Sequence, residues 1–423
     1  QLLIDKADMT ACLHDKQLVI FDTTPHCGTT SSLTETLNYL RTATDTPPQQ
    51  KPLGYAIIGW HVDDGIGVAC SVGWDLDVTT NRVIKYIQGT IETTYATTLT
   101  GWHGNKALGF TLTLDKTAGS VEMSAPDALS QLAQDVLDGA VTIKPKHVMT
   151  ADFVGIESGE LPPADDPSHQ QIKETMASCR HALGVLIWMS NAYPQIVMPV
   201  NTLCGQMHMP HPIQTLKCIR FLVMHLVAHP FGVRYGGHGM FGLERHEDLD
   251  VSSPYSGKKG MHFHWFNDAN LHENRSVSGA VGMLGGGAIV TVSQRQHLSS
   301  PDSHTSEVVS AGTGYTIMCP IAGVLQELRI HLGLPVPFYL DSKSAVCVAT
   351  SDTAVRKSAW LLRRVAVLED GVKHGEITPL HINDPHMAAD ILTKYLPYPT
   401  WIRHTGYMIN LPGADYFITL ASK

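Results

Sequence analysis

The sequence has no C-x-x-C pair: its eight cysteines, Cys12, Cys27, Cys70, Cys179, Cys204, Cys218, Cys319 and Cys347, are scattered along 423 residues. Such spacing builds neither a zinc ribbon nor a dense disulfide framework. It leads us to expect reduced, mostly buried thiols and an intracellular setting. No apolar run reaches the roughly 18 residues of a membrane helix. The nearest, Gly184 to Val200, is broken by Ser190, Asn191 and Pro194, so no membrane span is expected. The opening QLLIDKADMT places acids inside its apolar stretch, and no secretory signal is expected from it. Neither G-x-x-x-x-G-K-[ST] nor G-x-S-x-G occurs, which removes the P-loop nucleotide cradle and the serine-hydrolase elbow. Internal repeats and low-complexity tracts are absent as well.

Positive charge is in short supply. The formal net charge is −9, and residues 1–260 hold 18 Lys and Arg against 26 Asp and Glu. Residues 261–410 are nearly balanced, 11 against 12. Phosphate neutralisation supplies most nucleic-acid affinity, so tight autonomous binding is not expected from this balance. The basic group Arg356, Lys357, Arg363 and Arg364 reads as a solvated helix face. With 43% hydrophobic and 7% aromatic residues, the chain can bury at least two cores.

Three regions follow from the local patterns. Residues 1–150 mix short strand-like runs (LVIFD, YAIIGWHVDD, IGVACSV, ALGFTLTL) with a helical stretch near Ala125 to Leu137. Residues 151–255 begin with the loop from Gly155 and continue as helix from about Ile172 to Ala228. In residues 256–415, HFHWFND reads as a strand and AVGMLGGGAIVTVSQ as a hairpin turning on Gly285-Gly286-Gly287. A helix follows to about His331, expected to break at Gly312, Gly314 and Pro320. Then come the strand VPFYLD, the helix SKSAVCVAT, a helix over 354–373, the strand EITPLHI and a closing helix MAADILTKYL. Strands interleaved with helices predict an α/β architecture, a mixed sheet flanked by helices.

Four carboxylates stand at element ends in this last region: Asp268, Glu307, Asp341 and Asp390. Strand ends are where α/β sheets display functional groups. Acids gathered there need cations, and Mg²⁺ accepts carboxylates together with substrate phosphates. By spacing alone, however, these acids are ordinary caps and surface charges.

The surrounding words add more. FNDAN at 266–270, SVSGAVGMLGGGAI from Ser276, the Glu307 helix, YLDSKSAV from Tyr339 and AADILTKYLP from Ala388 resemble, in order, the RNase H motifs of copia-type retrotransposon Pol polyproteins. The resemblance implies an RNase H-like domain whose metal-binding, catalytic acids are Asp268, Glu307, Asp341 and Asp390. It further implies two Mg²⁺ ions, with Mn²⁺ as a substitute, and an RNA–DNA hybrid as substrate. Upstream, RHALGVLIWMSNAYPQIVMPVNTL from Arg180 and CIRFLVMHLVAHPFGVRY from Cys218 are similar to the segment joining polymerase and RNase H, a thumb- or connection-like helical region. His61-Val62-Asp63-Asp64 resembles the polymerase's aromatic-x-Asp-Asp hairpin, with Asp8 the upstream acid of a palm-like α+β remnant. His61 stands where Tyr is usual, and no fingers segment precedes Asp8, so no polymerase activity is expected. Asn270 and Leu271 also depart from the pattern, which commonly has Asp and an aromatic there.

The 23 histidines offer a competing metal chemistry. His225 and His229 share a helix face, but HLVAH lacks the Glu of a zincin and a third ligand, so both read as packed or surface residues. His208 and His211 straddle a proline in a loop. The sequon at Asn274 has meaning only in a secreted chain.

Two functions from different classes follow. One is an RNase H nuclease. The other is a non-catalytic retroelement fragment serving as a structural subunit, with protein partners in a larger assembly. For the second, the Met-rich stretch Ile187 to Met209 is the place to look for a partner surface, although core packing is its ordinary role.

Overall fold

The computed structural model describes residues 9–11, 18–22, 39–40, 54–61, 64–71, 83–87, 106–115, 117–137, 139, 144–150, 153, 161–207, 211–236, 263–272, 275–297, 299–330, 332, 334–351 and 359–411. The fold is α/β, with helices and both mixed and antiparallel sheets. Two compact units are present: residues 1–109 with 317–332, and residues 110–316 with 333–423.

In the first unit, β1 (Met9–Ala11), β2 (Leu18–Asp22), β3 (Gly54–His61) and β4 (Asp64–Ser71) pair antiparallel in chain order. The strand-like runs LVIFD, YAIIGWH and IGVACS thus form neighbouring strands, as their β-branched and aromatic content predicts. A two-residue strand, β5 (Lys106–Ala107), follows. Ile20, Leu40 and Tyr55 form a small core. The Tyr55 hydroxyl donates to the Leu328 carbonyl at 3.2 Å, and Arg329 pairs with Asp22.

The second unit carries an antiparallel set, β6 (Phe110–Asp115), β7 (Ser120–Ser124) and β8 (Val233–Gly236), paired in that order. Four helices pack beside it: α1 (Pro126–Val136), α2 (His169–Met189), α3 (Val197–Gln206) and α4 (Pro212–Ala228). Met189, Met198 and Leu203, from the Met-rich stretch, are buried, so much of that stretch is core, although Ile187 remains 52% exposed.

The mixed sheet holds five strands in the order β11-β10-β9-β12-β13. They are β9 (His264–Asn270), β10 (Val277–Leu284), β11 (Gly287–Arg295), β12 (Val336–Leu340) and β13 (Ile377–His381). β9, β10 and β11 are antiparallel, whereas β12 runs parallel to both β9 and β13. The β10–β11 turn uses positive φ at Gly285 and Gly286, as the glycine run requires. α6 (Lys343–Thr350) starts after β12, where the Ser342 hydroxyl caps the Ala345 amide. Its sheet residues Phe266, Val281 and Tyr339 and the helix residues Leu186, Leu203 and Leu222 belong to one continuous core.

Two expectations need correction, and one helix adds an observation to a third. The helix before β12 does not break: α5 (Ser303–Glu327) runs through Gly312, Gly314 and Pro320. An interior glycine costs about 1 kcal/mol and a proline about 3 relative to alanine, and burial outweighs that here. A Cβ on Gly314 would stand 1.9 Å from Asn267 Oδ1, so glycine is what lets α5 approach β9. Residues 308–325 within α5 carry no charge, and the helix is long and apolar enough to cross a membrane, with half of its apolar window buried inside the fold. The closing motif is no α-helix. Ala388–Leu392 forms a 3₁₀ turn between Pro385 and Pro397, and the last helix is α7's successor α8 (Tyr398–Met408), α7 being Ala359–Lys373. Pro385 and Pro397 bound the segment, and the Asp390 amide donates to the Met387 carbonyl at 3.1 Å, the tighter three-residue spacing of a 3₁₀ turn.

Candidate metal centre

The register of two parallel strands creates the site. Leu340 of β12 pairs with Asn267 of β9, so Asp341 and Asp268, each one residue further on, lie side by side. On the other flank Gly279 of β10 pairs with Asp268. A Cβ on Gly279 would meet the Ala389 carbonyl oxygen at 2.9 Å and the Thr393 methyl at 2.6 Å. The missing side chain therefore lets the 3₁₀ turn lie on β10 and brings Asp390 to Asp268. Asn270 Nδ2 donates to the Thr393 carbonyl at 3.3 Å and helps hold that turn.

The outcome is a trio: one carboxylate oxygen each from Asp268, Asp341 and Asp390 lies within 4.8 Å of the others. Asp268 and Asp390 are buried, at 1% and 4% exposure. Glu307, in the second turn of α5, is buried too, and its carboxyl feels Asp268, Asp341 and Asp390. Its place is set at the helix start, where Asp302 Oδ1 accepts from the Thr305 amide at 2.7 Å. Gln296 Nε2 donates to the Ser306 carbonyl at 2.9 Å and to Ser278 Oγ at 3.0 Å. Ser310 Oγ donates to the Asp268 carbonyl at 2.7 Å, fixing α5 to β9.

Crowded, buried acids hold protons. Burial, then the charge of Asp268, pushes the Glu307 carboxyl up to about 10. The same two causes push Asp390 up to about 8 and Asp341 up to about 6. Opposing this is Lys394, whose Nζ lies 2.9 Å from Asp390 Oδ1 and 3.8 Å from Asp268 Oδ2. Burial works against the ammonium, but Asp268 and Asp390 together hold its pKa above the ordinary value. Thr393 Oγ1 donates to Asp268 Oδ2. Asp268 Oδ1, Asp341 Oδ1 and Glu307 Oε2 are buried with no hydrogen-bond donor. A set of unsatisfied carboxylate oxygens suits a hard, oxygen-seeking cation.

Of the four acids singled out in the last region, Asp268, Asp341 and Asp390 come together, and Glu307 lies near enough to feel their charge. Gly279, Thr393, Lys394, Asn270 and Asp302 were missed as contributors to the site. Only Asp302, three residues before Thr305 at a helix start, carried a local signal. The polymerase-like acids fare differently: Asp8 and Asp63 lie outside the described residues, as does Val62. Asp64 opens β4 and pairs in register with His61 of β3.

The histidine pair is packed, as read from sequence. The His225 and His229 rings are 5.0 Å apart, and the His225 Nδ1 lies 2.9 Å from the Pro145 carbonyl oxygen. Burial lowers His225 to about 3, so it is a neutral ring donating to that carbonyl. Among the described residues, Asp268, Asp341 and Asp390 are the one group of three such side chains close enough to share an ion. Cys179, Cys204, Cys218, Cys319 and Cys347 form no disulfide.

No protein-family profile matches the chain, and no curated protein matches it. Among solved structures it is similar to an N-terminal RNase H domain from Mycobacterium tuberculosis, solved as a fusion with maltose-binding protein. The sequences are 12% identical, the match covers 38% of this chain and 97% of that one, and the TM-score is 0.24. A likeness of that size assigns neither family nor activity.

Proposed function

We propose that residues 256–415 form a Mg²⁺-dependent nuclease of the RNase H type, hydrolysing the RNA strand of RNA–DNA hybrids. The observation that carries this reading is the convergence of Asp268, Asp341 and Asp390 within 4.8 Å, with Glu307 electrostatically joined to them. The ordered motifs resembling copia-type RNase H support it independently. In the same reading, residues 1–150 descend from a reverse-transcriptase palm and 151–255 from its thumb or connection, without polymerase activity, and the protein works inside the cell.

The residues fit two divalent cations. Asp268, Glu307 and Asp341 would hold them through oxygens that lack donors, and Asp390 through the carboxylate that Lys394 faces. Bound Mg²⁺ would supply water activation and charge stabilisation at the leaving 3′ oxygen. The protein's own part is preparation. The parallel register aligns Asp268 with Asp341, Gly279 admits the turn bearing Asp390, and burial excludes bulk water from three of the acids. Burial and the neighbouring acids raise Glu307 and Asp390, and a bound cation would favour their ionised forms.

The test is cleavage of a labelled RNA–DNA hybrid with Mg²⁺, comparing wild type with Asp341→Asn. Cleavage by wild type that falls at least about 100-fold in the variant supports the reading. Equal cleavage in both, or none in either, overturns it.

A second reading is favoured by one observation: Lys394 pairs with Asp390 and approaches Asp268, neutralising part of the cluster with the protein's own charge. A non-catalytic subunit of a larger assembly could keep its acids this way. The excess of acids over residues 1–260 agrees with it. Stable co-purification with a protein partner and no salt-sensitive hybrid binding would favour it.

A further inference from the structure

We infer that Lys394 is a built-in counter-ion that competes with the divalent cation for the Asp268–Asp390 side of the cluster. The inference rests on the metal-centre reading and concerns the regulation of that site. Its basis is geometric. Lys394 sits one helical step from Asp390, its amide donating to the Asp390 carbonyl at 3.1 Å, so its side chain returns over the same carboxylate. Nζ reaches Asp390 Oδ1 at 2.9 Å and remains within 3.8 Å of Asp268 Oδ2. The two carboxylates are almost fully buried, at 5% and 1% side-chain exposure, whereas Lys394 is 35% exposed. The cation therefore covers the cluster from the solvent side and has water to move into.

The consequence is exclusive occupancy. An ammonium and a divalent cation sharing Asp390 Oδ1 and Asp268 Oδ2 would repel across a few ångströms in a poorly solvated site. Binding of one therefore weakens binding of the other, a negative coupling that removal of either partner exposes. A flexible lysine suits this role: its compact charge can leave without breaking a bidentate fork, as an arginine in that place could not. Lys394 keeps the metal-free acids together, and its departure accompanies metal entry.

The experiment titrates Mn²⁺ into the full chain by calorimetry at low ionic strength, with wild type, Lys394→Gln and Lys394→Arg. Circular dichroism on each protein verifies folding. Lys394→Gln is expected to bind Mn²⁺ about tenfold more tightly than wild type, and Lys394→Arg no more tightly than wild type. Raising the salt concentration should narrow the gap between wild type and Lys394→Gln, because screening weakens the competing pair. Equal or weaker binding by folded Lys394→Gln overturns the competition while leaving the metal centre standing. If Lys394→Gln does not fold, tighter binding by Lys394→Arg overturns the competition, and binding at or below the wild-type level upholds it. Absence of binding in all three proteins overturns the metal centre, and the inference with it.

Discussion

A methyl group at Gly279 would sit 2.9 Å from the Ala389 carbonyl oxygen, so the turn carrying Asp390 rests directly on the backbone of β10. Gly279 is also the register partner of Asp268. One small residue thus sets the spacing between two of the acids, although it bears no functional group. Gly279→Ala should destabilise the protein by about 1–3 kcal/mol through overpacking and weaken Mn²⁺ binding. Urea denaturation and metal titration check both effects.

Gly314 tests the α5 contact with β9. Glycine to alanine inside a helix normally stabilises by about 1 kcal/mol. Here the added Cβ would meet Asn267 Oδ1 at 1.9 Å, so Gly314→Ala should lower stability instead, by roughly 1–3 kcal/mol. Gly312 is the control. Its nearest neighbour would be the Arg364 carbonyl oxygen at 3.4 Å, an ordinary contact, and Gly312→Ala should be neutral or stabilising by denaturation midpoint.

The protonation of the cluster gives stability a definite dependence on pH. Glu307, Asp390 and Asp341 are each raised above the ordinary carboxyl range near 4. The folded state then binds more protons than the unfolded chain, and the stability this contributes is present in full only below about pH 4. It is lost as pH rises through about 6 for Asp341 and about 8 for Asp390. Metal-free protein should therefore lose melting temperature between about pH 5 and 8.5, while millimolar Mg²⁺ should flatten that decline. Thermal melts across this range, with Mg²⁺ and with EDTA, measure it.

Asp341→Asn should separate stability from chemistry. Removing one of several crowded negative charges relieves repulsion on Asp268 and Glu307, so the metal-free variant should melt at or above the wild-type temperature near pH 8. Loss of hybrid cleavage in a protein that is no less stable would assign the defect to the site. A fall in melting temperature would contradict the electrostatic account.

The strands and most helices of the second unit were readable because their signals were local: β-branched runs, a triple-glycine turn, a serine cap before α6. The acids were readable through the words around them, while spacing alone gave nothing. What escaped was tertiary. Gly312, Gly314 and Pro320 read as breakers because propensity cannot register a helix pressed against β9. The closing motif read as a helix because its apolar spacing allows one, whereas the fold packs it as a 3₁₀ turn against Gly279. Nothing local marks Lys394, and only the folded turn brings it to Asp268 and Asp390.

The most direct test of the metal centre is anomalous diffraction from crystals soaked in Mn²⁺. Two anomalous peaks among Asp268, Glu307, Asp341 and Asp390, with Lys394 turned out toward solvent, are the predicted result. Density showing those four side chains with no peak between them, and Lys394 still seated on Asp390, would contradict it.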